Sequence, residues 1–256
     1  MFKSMSIDLK GEKELASMRK ASQVVAEAHK ALLAAVEPGM STLDLDKIAE
    51  KEIKARGAKV AFKGYRGFPG TLCVSINNEV VHGIPSAKRI LAEGDIISFD
   101  LGAIVEGFYG DSAVSVGVGT ISEEAKKLLK ITEESLYKGI EQMLPGNRIG
   151  DIGAAVQRHA EDAGYGVVRE FVGHGIGRAL HEDPPVPNYG NAGTGMRLQP
   201  GMVLAIEPMV NIGTADVKVL EDNWTAVTCD GSLSAHFEHT IAVTEEGPEV
   251  LSKREG

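Results

Sequence analysis

Four carboxylates stand at the ends of apolar runs, where an ionised group is expensive. Asp100 follows Ile96-Ile97-Ser98-Phe99, and Glu207 follows Met202-Val203-Leu204-Ala205-Ile206. Asp111 precedes Ser112-Ala113-Val114, and Glu238 precedes His239-Thr240-Ile241-Ala242-Val243. A buried carboxylate without a partner is strongly disfavoured, and several close together repel one another unless a cation holds them. Taken singly, each reads as a strand-end group facing water or a lysine. Taken as a set, they read as a cation site.

Histidines could complete that set. His174 and His181 lie in the dense segment Phe171-Val172-Gly173-His174-Gly175-Ile176-Gly177-Arg178-Ala179-Leu180-His181-Glu182-Asp183. The alternating glycines do not make a phosphate loop, because acidic residues and two prolines follow instead of a helix. The seven-residue spacing is not that of a zinc-binding helix either. Glycine on both sides of His174 lets backbone and imidazole approach a crowded centre. His82, in Val81-His82-Gly83-Ile84-Pro85, ends a strand at a turn; alone it would be an ordinary structural histidine. Four carboxylates and one imidazole suffice for two divalent ions, and the oxygen-rich set suits Mn²⁺, Fe²⁺ or Co²⁺ better than a structural zinc. Two such ions roughly 3.5–4 Å apart lower the pKa of a shared water from about 15.7 towards about 7, and polarise a scissile carbonyl. The chemistry implied is hydrolysis of an amide or ester.

The elements that must position these groups follow from periodicity. Helical spacing runs over residues 14–36 and ends at Pro38-Gly39. A second helix is capped by Ser41 and Asp44 and stops at Gly57. Helices are predicted again over 122–146 and from Asp151 to Gly164. Strand patterns occupy Thr71–Ile76, Ile96–Leu101, Tyr109–Val118, Val167–Phe171, Val203–Ile206, Trp224–Cys229 and His236–Thr244. The order repeats at one offset of 107 residues: Pro38-Gly39 with Pro145-Gly146, Asp44 with Asp151, Gly57 with Gly164, Gly94 with Gly201, and Asp100 with Glu207. Asp111 and Glu238 match at an offset of 127, so the second half carries extra residues between its two carboxylate strands. A duplicated α+β domain is expected, its two halves forming a curved antiparallel sheet with helices on one face and the site on the other.

Composition narrows the partners. The chain has 256 residues, 43% hydrophobic and 25% charged, with 30 glycines. That balance fits a globular domain and excludes a disordered chain or a coiled-coil rod. A net charge of −9 argues against nucleic-acid and anionic-membrane binding. Two cysteines, Cys73 and Cys229, make no disulfide framework, the first residues lack a signal-peptide pattern, and no apolar run matches a membrane helix. A soluble, cytoplasmic protein is expected.

These residues also carry a family resemblance. The chain closely resembles type I methionine aminopeptidases, of the pita-bread fold, over about residues 8–250. The motifs are Phe171-x-Gly173-His174-Gly175-Ile176-Gly177-x-x-x-His181, Asn78-Glu79-Val80-Val81-His82-Gly83-Ile84-Pro85, Ser98-Phe99-Asp100-Leu101-Gly102, Tyr109-Gly110-Asp111-Ser112-Ala113, Ala205-Ile206-Glu207-Pro208 and Phe237-Glu238-His239-Thr240. The resemblance implies metal ligands at Asp100, Asp111, His174, Glu207 and Glu238, holding two divalent ions (Co, Mn, Fe or Zn). It implies removal of the initiator methionine from nascent polypeptides, met transiently at the ribosome, with a small second residue preferred. Glu207 would be general base, His181 would stabilise the oxyanion, and His82 would hydrogen-bond the amide of the second residue. The methionine pocket would be lined by Tyr65, Phe68, Cys73, His82 and Trp224, with Phe62 at its edge.

The expected organisation is a tail over residues 1–13 and one catalytic domain over 14–256, with halves at about 14–120 and 121–250, in a monomer. Proline-specific aminopeptidases and prolidases of the same fold usually carry an extra amino-terminal domain, for which the few residues before the first helix leave no room. Type II enzymes carry a long insertion between the last two ligands, whereas Glu207 and Glu238 are 31 apart. A peptide-binding module that kept the fold would have lost ligands, and all five are present.

Overall fold

The computed structural model describes residues 7–254. Expectations resting on residues 1–6, part of the amino-terminal tail and of the stretch read for a signal peptide, lie outside the described residues. Four α-helices form: α1 (Glu12–Ala35), α2 (Thr42–Ala55), α3 (Glu123–Ile140) and α4 (Ile149–Asp162). The caps are those the sequence encodes. Ser41 Oγ accepts the Asp44 N–H at 3.2 Å, and the Asp151 carboxylate accepts the Arg148 N–H at 2.7 Å. No helix among the described residues is long and apolar enough to cross a membrane.

Several predicted elements come out shorter or divided, among them the strand expected over Trp224–Cys229, which is only Ala226–Thr228. α3 stops at Ile140, although Met143 continues its apolar period and is buried. The Gln142 and Met143 N–H groups bond three residues back, to Gly139 and Ile140, so the chain tightens ahead of Pro145, which disfavours α conformation in the residue before it. The strand expected over Val167–Phe171 is only Gly166–Val167. The run His236–Thr244 divides into Ser234–His236 and His239–Thr244, because the two pieces pair with different strands, Met209–Asn211 and Val203–Ile206. Phe237 and Glu238 lie at the break.

Every strand pairing is antiparallel. In the first half, Ile96–Val105 and Phe108–Gly117 form a hairpin whose two-residue turn, Glu106-Gly107, has both φ values positive, 54° and 83°. Its register sets Asp100 opposite Ala113 and Gly102 opposite Asp111. Both aspartates therefore lie on one face as diagonal neighbours. Alternation sends Phe99 and Leu101 to the other face, into the main apolar core beneath the helices with Leu32, Leu45 and Leu128. In the second half, Val203–Ile206 pairs with His239–Thr244, ending at Ile206 opposite His239. Glu207 and Glu238 are the next residues outward. The halves meet where Ala113 bridges Glu238, and the Thr240 hydroxyl donates to the Asp111 carbonyl at 2.7 Å. Asp111 and Glu238 thus sit at the seam, as the repeat predicts.

The duplication is visible in the backbone. Isolated bridges join Ser41 to Ile90 and Arg148 to Arg197, the second pair displaced from the first by the repeat offset of 107. Gly94 and Gly201 open the matching strands at φ 93° and 90°. These values are natural to glycine and strained for any side chain.

Candidate active site

His174 is delivered by a strand that tolerates only glycine beside it. A Cβ on Gly173 would lie 2.3 Å from the Ala205 carbonyl oxygen, and one on Gly175 would lie 2.3 Å from that of Asp183. The missing side chains let Gly173–Gly175 slot between its two neighbouring strands, Val203–Ile206 and Glu182–Val186. His174 Nδ1–H donates to the Gly175 carbonyl at 2.8 Å, which leaves Nε2 unprotonated. Burial lowers the His174 pKa to about 4, keeping the ring neutral. Nε2 lies 3.6 Å from Glu207 Oε1 and 3.9 Å from Asp111 Oδ2.

Three carboxylates, Asp111, Glu207 and Glu238, gather about that nitrogen, and Asp100 shares their cavity. Donor atoms of Asp111, His174 and Glu238 lie within 4.8 Å of one another. Asp100 and Glu207 line the same cavity. Burial, with the charge of Glu207 added, pushes Asp100 up to about 7; burial pushes Glu207 up to about 8. Asp111 and Glu238 are raised well above the usual carboxylate range, by burial first and then by their acidic neighbours. No lysine or arginine pairs with any of the four among the described residues, so the solvated strand-end reading fails. Asp100 Oδ1, Asp111 Oδ1 and Glu238 Oε1 are buried with no hydrogen-bond partner. Hard oxygens, mutually repelling and unsatisfied around one neutral imidazole, fit divalent cations.

All the residues assigned to substrate line this cavity, which measures about 140 Å³. Phe62 and Phe68 are 8% and 3% exposed, so each is both core and cavity wall. Phe68 meets Trp224 edge-on at 5.1 Å, and His82 is edge-on to Trp224 at 6.1 Å and to Phe171 at 5.4 Å. Burial raises the Cys73 thiol, with Asp100 and Asp111 adding to it, so Cys73 presents a neutral sulfur. His82 has φ 62°, uncommon for a non-glycine residue. This turn presses Gly83 against the Val74 carbonyl and aims the imidazole at the cavity; burial lowers its pKa to about 4. His181 stacks on Tyr65 at 5.4 Å and tilts over His174 at 4.3 Å.

Two groups escaped the sequence reading. The Arg66 side chain lines the cavity and lies over the Tyr65 ring at 5.3 Å. His236 Nε2 is buried, without a hydrogen-bond partner, 3.6 Å from Glu207 Oε2. Its position two residues before Glu238, on the same face of the expected strand, was the available signal.

The fold and this cluster define a metallopeptidase, and comparison with known proteins agrees: the model of metallopeptidase family M24 matches residues 16–245, and the chain belongs to that family. Within it the relatives are methionine aminopeptidases. The chain is 55% identical over 244 residues to methionine aminopeptidase 1 of Bacillus subtilis, covering 95% of this chain and 98% of the relative. The crystal structure of methionine aminopeptidase from Thermotoga maritima superposes with a TM-score of 0.95 at 48% identity, over 97% of this chain and 100% of that one. A prolidase from Pyrococcus horikoshii shares the fold at a TM-score of 0.77 and 25% identity, but this chain covers only 64% of it. The enzyme is a methionyl aminopeptidase of the pita-bread fold.

Proposed function

We propose that the enzyme removes the initiator methionine from nascent polypeptides in the cytoplasm, using two divalent cations held by Asp100, Asp111, His174, Glu207 and Glu238. The gathering of four mutually repelling carboxylates in one cavity with the free Nε2 of His174, with no lysine or arginine to pair them among the described residues, carries this reading. Bound there, the cations would supply Lewis acidity to the scissile carbonyl and an acidified water. The identity of the ions is set by supply as much as by ligands, with Mn, Fe, Co and Zn all compatible.

The remaining steps belong to protein groups. Glu207, facing the Nε2 of His174 across the cavity, would act as general base: it takes a proton from the attacking water and passes it to the departing amine. His181, neutral because burial lowers its pKa, donates to the oxyanion. His82, also neutral, accepts the N–H of the second residue. Tyr65, Phe68, Cys73 and Trp224, with Phe62, surround the methionine side chain, whose flexible thioether suits aromatic and sulfur contacts. The substrate partner is the free amino terminus of a nascent chain, met transiently by a monomeric enzyme at the ribosome.

The small-second-residue preference rests on the kinship with methionine aminopeptidases. It is tested with Met-Ala, Met-Leu and Met-Lys peptides on metal-loaded enzyme. Met-Ala should be cleaved and the other two resisted; comparable rates on all three contradict the reading.

A further inference from the structure

Lys10 is the most deeply buried ammonium group among the salt bridges of the described residues, with its side chain 2% exposed. It lies just before α1, where its backbone N–H donates to the Gly201 carbonyl at 2.7 Å. Its Nζ donates to Glu182 Oε2 at 2.6 Å and to the Asp8 carbonyl at 2.9 Å. The other oxygen of Glu182 accepts the Ala179 N–H at 3.1 Å. One carboxylate therefore ties the amino-terminal segment to both ends of a short loop, Ala179–Glu182, that carries Leu180 and His181 into the cavity. The fit is tight: a Cβ on Gly177 would lie 2.4 Å from Lys10 Cε and 2.8 Å from Glu182 Oε1. A second tie runs in parallel, from Arg178 to Glu14 at 2.8 Å.

A buried ion pair is a weak source of stability, because desolvation offsets most of the attraction. What such a pair does well is fix geometry, and the geometry fixed here is that of the residue next to Glu182. We propose that Lys10 is a positioning residue for His181: through Glu182 it holds the Ala179–Glu182 loop so that the imidazole sits over the reacting carbonyl. The inference rests on the reading of His181 as the oxyanion donor.

The test is a double-mutant cycle on metal-loaded enzyme with a Met-Ala peptide, using Lys10→Met, His181→Ala and the double variant. Lys10→Met keeps the length of the side chain and removes the charge. It should lower kcat by about 10- to 100-fold, the scale of a misplaced catalytic group, with KM and bound metal changed less than about two-fold. In the His181→Ala background the same change should have little effect on kcat, since there is no longer an imidazole to place. A readout independent of turnover is the ¹⁵N spectrum of the zinc-loaded protein, in which Lys10→Met should shift the His181 ring signals and leave those of His174 in place. If Lys10→Met does not fold, Lys10→Leu, which also removes the donor, replaces it in the cycle. Losses that multiply in the double variant, or an unchanged kcat in the folded Lys10 variant, overturn the inference alone. An unchanged kcat in His181→Ala overturns the reading of His181 and this inference with it.

Discussion

The Tyr65 hydroxyl lies 2.9 Å from Nδ1 of His181, and the two rings stack at 5.4 Å with 19° between their planes. A hydroxyl donating to Nδ1 leaves the imidazole proton on Nε2, the tautomer an oxyanion donor requires. In the proposed mechanism Tyr65 would then have two duties, as pocket wall and as tautomer lock. Tyr65→Phe keeps the wall and removes the lock. It should lower kcat roughly 2- to 10-fold, the worth of one hydrogen bond, with bound metal unchanged. His181→Ala sets the scale for comparison, at about 10²–10³ in kcat. Steady-state kinetics with metal analysis decide; an unchanged kcat in Tyr65→Phe removes the lock from the account.

His29 is one of several buried histidines through which acid should act on the protein. This histidine in α1 is fully buried, and its Nε2–H donates to the Ser112 carbonyl at 2.9 Å. Burial, with Arg254 nearby, lowers its pKa to about 3 from an ordinary 6.5. The unfolded chain therefore takes up a proton that the folded one refuses. The stability from the neutral ring is fully present above pH 6.5 and is lost as pH falls from 6.5 towards 3, at about 1.4 kcal/mol per unit. His29→Gln, which retains a donor and does not titrate, should flatten the decline. Urea unfolding at pH 7, 5.5 and 4.5 compares the two proteins, and parallel curves would show that His29 is not the group responsible.

The seam between the halves suggests a division of the proposed ligands into two kinds. A pseudo-twofold axis carries Asp111 to Glu238 and Asp100 to Glu207, and the first pair lies at the junction where Ala113 bridges Glu238. We infer that Asp111 and Glu238 are shared between two ions and that Asp100 and Glu207 serve one each. His174 has no repeat mate, since the corresponding position is Gly67, and it would strengthen the hold on an ion beside Glu207, its neighbour at 3.6 Å. Asp111→Ala or Glu238→Ala should abolish both sites, whereas Asp100→Ala should leave one tight ion. Calorimetric titration with Mn²⁺ reads this directly. One tight ion in Asp111→Ala and none in Asp100→Ala would reverse the assignment.

The sequence was most informative where side-chain chemistry and backbone requirement coincide. Asp100 and Glu207 stood out because an acidic residue interrupts an apolar strand, and Gly173 and Gly175 because two glycines flank a histidine. The offset of 107 was legible because Gly94 and Gly201 share a backbone conformation that other residues avoid. The break at Phe237-Glu238 was not legible, since strand propensity is continuous there and the interruption comes from pairing with two different partners. α3 ends at Ile140, and the apolar spacing runs on to Met143 through tighter turns ahead of Pro145. The Lys10–Glu182 pair joins residues 172 positions apart, a distance over which local pattern carries no information.

The central claim, that one dinuclear centre built on these five residues performs the hydrolysis, is tested most directly by titrating metal back into the chelated enzyme. Bound Mn²⁺ and methionine released from a Met-Ala peptide are measured on the same samples. The account predicts no release from metal-free protein, and full recovery as the ions are restored. Full activity in protein shown to contain no metal would contradict it.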